Sequence, residues 1–401
     1  MNKFYKIRGE VQNYEWGGKS FIPNLISENI NENYSYAEYW LGAHLKAPSK
    51  VFTEKGIISL DLFLSENPKE TLGKQVAKNF GKLPYLFKVL DVKEMLSIQV
   101  HPSKEAARIG YNNENEKGIP LNASNRNYKD ENHKPEIMVA LNEFWLLHGF
   151  LDVHKLTRNI KETPELSFLL PIFLEDGYIG LYKRVMEYSQ DEVNKVLKPL
   201  VERILPKYLN NELEKSAPAF WAAKSLVNKE SKNIDKGIFS IYFFNILKLS
   251  RGEAIFQDAG VPHAYLEGVN MELMANSDNV LRAGLTNKHI DVLELIKNTK
   301  FEATIPDILK GVRNIENGEV IYKTLAKDFE LSKIELLESI VHRAISNSLE
   351  ILILIKGTAT FTQRNETMSL EKGQAILVKA DTVYKIVTNS EVEIYKASVP
   401  K

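Results

Sequence analysis

A change of hydrophobic period in the middle of the chain most strongly constrains its fold. Before about residue 150 and after about residue 236, short apolar runs alternate with turn-forming stretches, as in LPYLFKVLDV and SLEILILIKGTATFTQ. Between about 151 and 235, apolar residues recur at helical spacing with lysine and glutamate between them: Val193, Val196, Leu197, Leu200, Val201, Ile204 and Leu205. Strand texture on both sides of a helical block predicts a mainly β protein with an inserted α-helical subdomain.

Two segments of the β part have similar sequences. ILKLSRGEAIFQDAGVPHAY and MSLEKGQAILVKADTVYKI both contain an apolar run, a charged residue before glycine, a second apolar run, and a loop leading to an aromatic residue. Short strands separated by glycine turns are typical of jelly rolls, in which tight corners allow the sheets to close. We therefore predict two jelly rolls. The first segment has His263 where the second has Thr382 and Val383, so we expect the C-terminal roll to lack a metal.

These textures divide the chain into four predicted parts. Residues 1–150 form an N-terminal β-rich part, 151–235 a helical subdomain, 236–310 a return to the first barrel, and 311–401 a C-terminal jelly roll. Within the third part, GIFSIYFFNILKLSRGEAIF carries strand signals throughout. Within the first part, SLDLFLSENPKETLG predicts a helix with a break at its proline.

Composition excludes several classes of function. The chain has no cysteine, so it has no disulfide, thiol nucleophile or thiolate metal site. Lysine plus arginine and aspartate plus glutamate balance at 52 each, which gives no sign of a nucleic-acid or acidic-membrane partner. The N-terminal segment is charged, unlike a secretory signal, and no apolar run reaches the ~20 residues of a membrane span. We expect a cytoplasmic protein.

Residues that can ligate a metal through nitrogen or oxygen concentrate in three runs. Gln99 and His101 lie in SIQVHPSKEA, Glu136 in ENHKPEIMVA and His263 in AGVPHAYLEG. Alternate side chains of a strand share a face, so Gln99 and His101 can be presented to one ion. Two histidines, a carboxylate and an amide suit a borderline ion such as zinc. Each histidine taken singly is more often structural, so spacing alone leaves both interpretations open.

The sequence HKPE illustrates the same ambiguity. Alternation places Lys134 and Glu136 on one face and His133 on the other. Proline cannot donate to a sheet ladder, so Pro135 favours a rim strand or a loop at this point. An ion pair between Lys134 and Glu136 is the alternative to metal ligation.

Residues 267–289 form a second concentration of polar groups. Its polar residues stand among methionine, leucine and valine: Glu272, Asn276, Asp278, Asn279 and Arg282. Polar groups in apolar surroundings need partners, so the run indicates either a functional site or a buried network. On a helical turn, Asp278 and Arg282 are four residues apart and would form an ordinary surface ion pair.

These runs belong to ordered blocks that resemble the type I, zinc-dependent mannose-6-phosphate isomerases. The blocks are VQNYEWGGKSFIP, AEYWLGAHLKAPS, LPYLFKVLDVKEMLSIQVHPSKE, DENHKPEIMVAL and GVPHAYLEGVNMELMANSDNVLRAGLTNKHIDV. They span about the first 290 residues, whereas 151–235 and the last hundred residues match only in order and texture. The resemblance implies a cupin fold of two jelly-roll barrels with a helical subdomain, and one zinc ion per chain.

The resemblance also implies roles for individual residues. Four are the expected zinc ligands: Gln99, His101, Glu136 and His263. Five are expected catalytic groups: Arg282, Lys134, Glu272, Asp278 and His133. Three are expected to contact the substrate or its phosphate: Lys88, Ser97 and Lys288.

The implied reaction interconverts mannose 6-phosphate and fructose 6-phosphate through a cis-enediol. Proton transfer between C2 and C1 needs a base near neutrality and an electrophile that stabilises negative charge on oxygen. Zinc or Arg282 could be that electrophile. A nearby cation favours the neutral form of an amine, so Lys134 is a candidate proton carrier, with Glu272, Asp278 and His133 as rivals.

The expected partner is a small sugar phosphate, and the chain is expected to be a monomer, although an oligomer stays open. Two other functions are compatible with the sequence. One is a different metal-dependent cupin isomerase, such as one that acts on glucose 6-phosphate with iron or manganese. The other is a non-catalytic, sugar-binding cupin, since a fold alone does not determine function.

Overall fold

The computed structural model describes residues 2–227, 233–338 and 340–401. Most of its regular structure is antiparallel β-sheet, and a group of helices lies between the ninth and tenth strands. The prediction of a mainly β protein with helices is confirmed. In the described part of the chain, no helix combines the length and apolar character needed to cross a membrane.

The elements before residue 151 are mostly short strands. In chain order they are β1 (Phe4–Arg8), β2 (Glu10–Gln12), α1 (Phe21–Ile26), β3 (Glu38–Gly42), β4 (Lys50–Thr53), β5 (Gly56–Ser59), α2 (Leu60–Glu66), α3 (Pro68–Leu72), α4 (Lys74–Phe80), β6 (Tyr85–Val92), β7 (Ile98–Val100), α5 (Lys104–Glu116), β8 (Glu136–Ala140) and β9 (Phe144–Phe150). The predicted break at Pro68 is confirmed, because α2 ends before it and α3 begins there.

Helices follow β9. They are α6 (Val153–Glu162), a 3₁₀ turn (Pro164–Leu169), α7 (Leu170–Met186), α8 (Gln190–Leu209), α9 (Pro218–Lys224) and α10 (Gly237–Phe243). Helix α8 contains the predicted helical spacing and begins at a capping box, in which Ser189 and Glu192 each bind the other's backbone N–H. Its buried face packs into the core of the helical region: Val193, Leu197, Leu200 and Ile204.

Helix α10 corrects one prediction. The sequence pattern predicts a strand over GIFSIYF, but this segment is helical, and the strand begins only at Phe244. All seven residues of α10 are buried. A short run that is apolar on every side has no period to separate helix from strand, which is why the pattern misled. The Asp235 side chain accepts a hydrogen bond from the N–H of Gly237, the first residue of α10.

Strands predominate again after α10. They and one helix are β10 (Phe244–Leu249), β11 (Ala254–Gln257), β12 (His263–Ala275), β13 (Leu281–Gly284), α11 (Val292–Asn298), β14 (Val312–Arg313), β15 (Val320–Tyr322), β16 (Glu330–Leu336), β17 (Val341–Ser346), β18 (Glu350–Lys356), β19 (Thr358–Gln363), β20 (Glu366–Glu371), β21 (Ala375–Val378), β22 (Thr382–Val387) and β23 (Val392–Ser398).

The strands pair into three sheets. The N-terminal sheet contains β2, β3 and β6 to β13, and β12 joins its parts because its first residues pair with β7 and β9 and its later residues with β6 and β8. The central sheet has the order β14-β15-β16-β23-β18-β21-β1-β4-β5. The small sheet has the order β17-β22-β19-β20. Strands β1, β4 and β5, from the beginning of the chain, therefore pair in the same sheet as the C-terminal strands.

The two similar segments fold in the same local way. Strands β10, β11 and β12 correspond in order to β20, β21 and β22. The turn glycines Gly252 and Gly373 have φ of +84° and +80°, a conformation that glycine adopts without steric cost. His263 and Thr382 are the first residues of the corresponding strands β12 and β22.

Apolar packing joins these layers, and buried polar side chains collect on the inner face of the N-terminal sheet. One core fills the space between the outer face of the N-terminal sheet and the central sheet, and another lies between the central and small sheets. The helices pack against β7, β9, β12 and β13. The inner face of the N-terminal sheet has a smaller apolar cluster, and the remainder of that face carries buried charged and polar side chains. Buried polar groups need partners, so this interior is the place to look for a site.

Candidate metal centre and active site

Strand pairing aligns three predicted site residues in one row. Strand β7 lies between β12 and β13, and Gln99 is directly opposite His263 on one side and Arg282 on the other. Residues directly opposite in a sheet project from the same face. Ile98 and Val100, the neighbours of Gln99, pack against the helical region. The predicted alternation along this strand is therefore confirmed.

Glu136 reaches the same interior from a strand that corrects a prediction. Pro135 suggested a rim strand or a loop, but Glu136 opens β8, which pairs with β11 on one side and β12 on the other. Pro135 lies just before the strand, where its carbonyl accepts from the N–H of Ala275 and its missing N–H costs no ladder bond. An inner strand can therefore start immediately after the proline.

His101, Glu136 and His263 converge at the centre of the site. All three are buried, and their ligand atoms lie within 4.8 Å of one another. The Nε2 atom of His101 is 3.4 Å from one carboxylate oxygen of Glu136, and the Nε2 atom of His263 is 3.3 Å from the other. We refer to these three residues as the His–Glu–His triad.

The hydrogen bonds of the triad show what it can bind. The Nδ1 atom of His101 is 2.9 Å from the carbonyl of Asn279, and that of His263 is 2.9 Å from the carbonyl of Val261. A carbonyl only accepts, so both Nδ1 atoms carry a proton, and in the neutral imidazole the lone pair is then on Nε2. The Nε2 atom of His101 is buried and has no hydrogen-bond partner among the described residues. Two lone pairs and a carboxylate that converge in this way fit a metal cation.

Electrostatics maintain His101 and Glu136 in protonation states that suit metal binding. Burial, followed by the positive charge of Lys134, lowers the pKa of His101 to about 4, so its imidazole is neutral near pH 7. Burial alone would raise the pKa of Glu136, but Lys134 and His101 outweigh burial and hold that pKa well below its usual value. The ammonium of Lys134 lies 2.7 Å from Glu136, so the predicted ion pair and the metal-ligand geometry occur together.

A buried ion network lies beside the triad. The ammonium of Lys88 is 2.9 Å from Glu272 and 3.4 Å from Glu38, and the hydroxyl of Tyr265 donates to Glu272 at 2.9 Å. Burial would lower the pKa of Lys88, but the carboxylates of Glu272 and Glu38 outweigh burial and raise it. Burial raises the pKa of Glu272. We refer to Lys88, Glu272, Glu38 and Tyr265 as the catalytic-side network.

Asp278 does not pair with Arg282, which corrects the helical-turn interpretation. Residues 276–280 are not helical, and Asp278 lies 2.7 Å from the ammonium of Lys46 and 3.5 Å from the Nε2 atom of His44. Burial would raise the pKa of Asp278, but His44 and Lys46 outweigh burial and hold it below the usual value. Asp278 is therefore an anchored anion rather than a free proton acceptor.

Three cationic side chains lie close enough to interact electrostatically, and one of them, Arg282, is directly opposite Gln99 in the sheet. No hydrogen bond or ion pair joins the Arg282 guanidinium to another described residue, and burial lowers its pKa without a carboxylate to offset the effect. Burial, followed by the charges of Arg282 and Lys46, lowers the pKa of Lys288. We refer to Arg282, Lys288 and Lys46 as the cationic rim. Such a rim attracts an anionic substrate.

Two predicted site residues are placed differently. His133 points away from the triad, as alternation along HKPE requires, and its Nε2 atom is 2.8 Å from the buried carboxylate of Asp328. The structure therefore does not bring His133 into the site. Ser97 is half-buried just before β7, two residues from Gln99.

Sequence reasoning assigned no role to several residues that complete the site. Glu38 and Trp40 of β3 adjoin Lys88, with Trp40 directly opposite Lys88 in the sheet, and His44 and Lys46 hold Asp278. All four lie in the block AEYWLGAHLKAPS, which supported the resemblance as a whole. The density of charged and aromatic residues in that block was the only sequence signal for them.

A cavity of about 770 Å³ lies beside the site, between α4, α5 and residues 129–132. Its lining includes Lys104, Arg108 and Asn276 but none of the triad or the cationic rim. The converging ligand atoms, rather than cavity volume, therefore locate the chemistry.

Comparisons with known proteins agree with this arrangement. A family model described as phosphomannose isomerase type I, catalytic domain, matches residues 4–153, which include Gln99, His101 and Glu136. The mannose-6-phosphate isomerase of Escherichia coli strain K12 is 36% identical, with 94% of this chain and 95% of the relative covered. That of Mus musculus is 32% identical, with 96% of each covered.

Solved structures give the same result. A crystal structure of mannose 6-phosphate isomerase from Salmonella typhimurium, bound to its substrate fructose 6-phosphate (f6p) and zinc, has a TM-score of 0.89 and 31% identity, with both chains fully covered. A zinc-bound holo structure of mannose 6-phosphate isomerase has the same TM-score, identity and coverage. Since relatives and structures match this chain along nearly its whole length, the chain belongs to the type I mannose-6-phosphate isomerase (phosphomannose isomerase) family.

Proposed function

We propose that this chain interconverts mannose 6-phosphate and fructose 6-phosphate at a zinc ion. The observation that carries the proposal is the convergence of the ligand atoms of His101, Glu136 and His263. Near them in the sheet is Arg282, whose guanidinium has no hydrogen-bond or ion-pair partner among the described residues. A related enzyme from Salmonella typhimurium has been solved with fructose 6-phosphate and zinc bound.

The triad and Gln99 form the proposed zinc site. Gln99 is directly opposite His263, so its amide lies on the same face as the triad and can supply a neutral oxygen ligand. Zinc bound here would supply positive charge that stabilises a negatively charged substrate oxygen. The chain's own part is to keep the His101 imidazole neutral, to orient both imidazoles through their Nδ1 hydrogen bonds, and to keep the carboxylate ionised.

The cationic rim is the proposed phosphate and oxyanion site. Arg282 lies next to Gln99 across the strand pair, so its guanidinium can reach a substrate held at the triad. Five N–H donors and a fixed charge suit it to stabilise the negative charge that develops on O1 and O2. Lys288 is exposed and lies under the influence of Arg282, which suits it to bind the phosphate.

The reaction transfers protons without net change in composition. A proton leaves C2 and another is delivered to C1, while O2 loses its hydroxyl proton and O1 gains one, which converts the aldose to the ketose. Among the predicted carriers, Lys134 lies at the triad. Asp278 is fully engaged with Lys46 and His44, and both oxygens of Glu272 are bound by Lys88 and Tyr265. Lys134 is also paired, but its partner Glu136 is a proposed zinc ligand, so Lys134 is the carrier nearest the metal and is preferred.

Lys88 has a different proposed role from the phosphate contact that the resemblance implies. Its ammonium is buried between Glu272 and Glu38, so its charge is already neutralised. It acts by holding Glu272 in place on the inner face of the sheet. Ser97 stays a predicted substrate contact.

The finer architecture belongs to the same proposal. The inner face of the N-terminal sheet and the space between the central and small sheets are the interiors of two cupin-type jelly-roll barrels, with residues 151–235 as an inserted helical subdomain. The divisions at 236–310 and 311–401 stay predictions. Hydrogen bonding of β1 to β21 argues that the barrels fold as one unit. The cytoplasmic location and monomeric state also stay predictions.

A substrate panel tests the proposed function. Protein loaded in parallel with zinc, iron or manganese is assayed with mannose 6-phosphate, glucose 6-phosphate and unphosphorylated mannose. We expect turnover of mannose 6-phosphate at least about 100-fold above the others, because the cationic rim selects the phosphate and the triad positions the sugar. Preferential turnover of glucose 6-phosphate with iron or manganese would favour the other cupin isomerase, and binding without turnover would favour a sugar-binding protein.

A further inference from the structure

The structure assigns a positioning role to Asn279, a buried residue between Asp278 and Arg282. We propose that its side-chain amide locks the loop whose backbone carbonyl orients His101, and so sets the affinity of the triad for its metal. The inference rests on the proposed metal site but not on the identity of the substrate.

The amide of Asn279 uses all of its hydrogen-bonding capacity. Its oxygen accepts from the N–H groups of Lys129 at 2.6 Å and Asp130 at 3.2 Å. Its nitrogen donates to the carbonyls of Asp130 at 2.7 Å and Asn132 at 2.8 Å. The side chain is fully buried. A buried amide with four backbone partners holds two chain segments in a fixed relation, because each lost bond leaves a buried group without a partner.

The backbone carbonyl of Asn279 connects this fixed segment to the triad through a hydrogen bond with His101. This carbonyl accepts a hydrogen bond from the Nδ1 atom of His101 at 2.9 Å, which leaves the Nε2 atom of this neutral imidazole free to bind a metal beside Glu136. Partners of this kind determine the tautomer and ring orientation of a metal-binding histidine. The side chain thus immobilises the same residue whose carbonyl orients the ligand.

Asn279 also joins the other parts of the site. The segment that it binds, 129–132, leads directly to Lys134 and Glu136, and Arg282 lies three residues beyond Asn279. Asp130 reinforces the junction, because its carboxylate accepts from the Ser277 hydroxyl at 2.8 Å and from the N–H of Asp278 at 2.9 Å. One buried amide therefore sets the relative positions of segments that carry a ligand, a candidate proton carrier and the cationic rim.

Asn276 provides a matched control in the same segment. It lies three residues earlier, is half-buried and lines the neighbouring cavity. No hydrogen bond joins its side-chain amide to another described residue, although its backbone carbonyl accepts from Asn132. Asn276→Ala removes the same chemical group as Asn279→Ala but leaves the hydrogen bonds between the Asn279 amide and residues 129–132 intact.

The test is zinc affinity, measured by competition with a chromophoric chelator on wild-type protein, Asn279→Ala, Asn279→Ser and Asn276→Ala. We expect the affinity to fall about 10- to 100-fold in Asn279→Ala, the size of effect found for groups that orient metal ligands. The zinc affinity of Asn279→Ser, which retains a hydroxyl, should lie between those of wild type and Asn279→Ala. The affinity of Asn276→Ala should stay within about two-fold of wild type. The cobalt-substituted Asn279→Ala protein should also show an altered visible spectrum.

Unchanged zinc affinity in the Asn279 variants, with a lowered melting temperature of the metal-free protein, would overturn the proposal and leave Asn279 a purely structural residue. If Asn279→Ala does not fold, Asn279→Ser decides by the same criterion. Failure of the proposed function would be distinguishable, because wild-type protein would then bind zinc with the predicted dependence on Asn279 and still not isomerise mannose 6-phosphate.

Discussion

Two interiors of this molecule contain the same kind of buried ion network, yet only one is built as a site. On the inner face of the N-terminal sheet, Lys88 lies between Glu272 and Glu38, and the hydroxyl of Tyr265 donates to Glu272. These residues come from the neighbouring strands β3, β6 and β12.

The second network lies between the central and small sheets. Lys396 is 2.7 Å from Glu319 and 3.4 Å from Glu350, and the hydroxyl of Tyr384 donates to Glu350 at 2.7 Å. Its composition, one lysine, two glutamates and one tyrosine, repeats that of the catalytic-side network. All four side chains are buried.

The difference lies in what surrounds each network. The first adjoins the His–Glu–His triad and the cationic rim, whereas the second adjoins the single imidazole of His342. Among the described residues, the triad is the only group of three or more histidine or acidic side chains whose ligand atoms converge closely enough for a metal. A buried ion network is thus a feature of the architecture, and chemistry requires the additional convergence of ligands and free cations.

The largest expected difference in activity is between two variants, each of which replaces a buried carboxylate in one of the two interiors. Glu136→Gln removes the only carboxylate of the triad, so zinc affinity and activity should fall together, with turnover reduced on the order of 10³-fold or more. Glu319→Gln in the second network should leave the turnover of folded protein within about two-fold. Zinc content and initial rates measure both, and more than a tenth of wild-type activity in Glu136→Gln would contradict the assignment.

The buried lysines provide the next comparison. Lys396→Met leaves two buried carboxylates without their cation and should lower the free energy of unfolding by about 3–5 kcal/mol. Its turnover should be unchanged at temperatures where it stays folded. Lys88→Met should lower both stability and turnover, because Glu272 faces the site. Denaturant unfolding and kinetics distinguish the two, and equal effects on turnover would remove the distinction between the interiors.

Arg282 tests whether the cationic rim supplies catalysis. Arg282→Ala should lower kcat about 10²- to 10³-fold with zinc content unchanged, because the charge acts mainly on the transition state. Arg343→Ala, which removes an exposed arginine from the small sheet, is the matched control. If kcat of Arg282→Ala stayed within three-fold of wild type, Arg282 would not be the electrophile.

Lys288 is expected to act on binding. Lys288→Met should raise KM for mannose 6-phosphate about ten-fold and change kcat less, because the phosphate contact is similar in ground and transition states. High salt should likewise raise the KM of the wild-type enzyme, because it screens the attraction between the phosphate and Lys288. An unchanged KM would show that the phosphate lies elsewhere.

The smallest expected effect concerns acid stability. Burial lowers the pKa of His342 below 6.5, with the Asn317 carbonyl, Glu319 and Lys396 as its other neighbours. The unfolded chain therefore binds this proton more readily, and the free energy of unfolding decreases as pH falls below about 6.5. In zinc-loaded protein, where the triad is protected, His342→Gln should flatten that decrease. Denaturant unfolding between pH 7 and pH 5 measures it, and an unchanged slope would contradict the assignment.

The sequence correctly predicted features that depend on the local spacing of apolar and polar residues. Alternation correctly placed Ile98 and Val100 on the face that packs against the helical region and His133 on the opposite face from Lys134, and helical spacing correctly predicted α8. It failed at α10, where burial on every side removes the period.

Long-range pairing was beyond such reasoning. Glu38 meets Lys88 only because β3 pairs with β6, and Lys46 meets Asp278 across 232 positions of sequence. Asn279 was one of several polar residues in its run, and only the structure shows that its amide joins two segments. Tertiary contacts of this kind leave no periodic signal in a single sequence.

The most direct test of the account is the formation of fructose 6-phosphate from mannose 6-phosphate before chelation, after chelation and after zinc is restored. We predict that activity is lost when the metal is removed and returns with zinc, while the protein stays folded throughout. Full activity in metal-free protein, or none in protein that has bound zinc, would contradict the claim that the His–Glu–His triad is the metal centre of a mannose-6-phosphate isomerase.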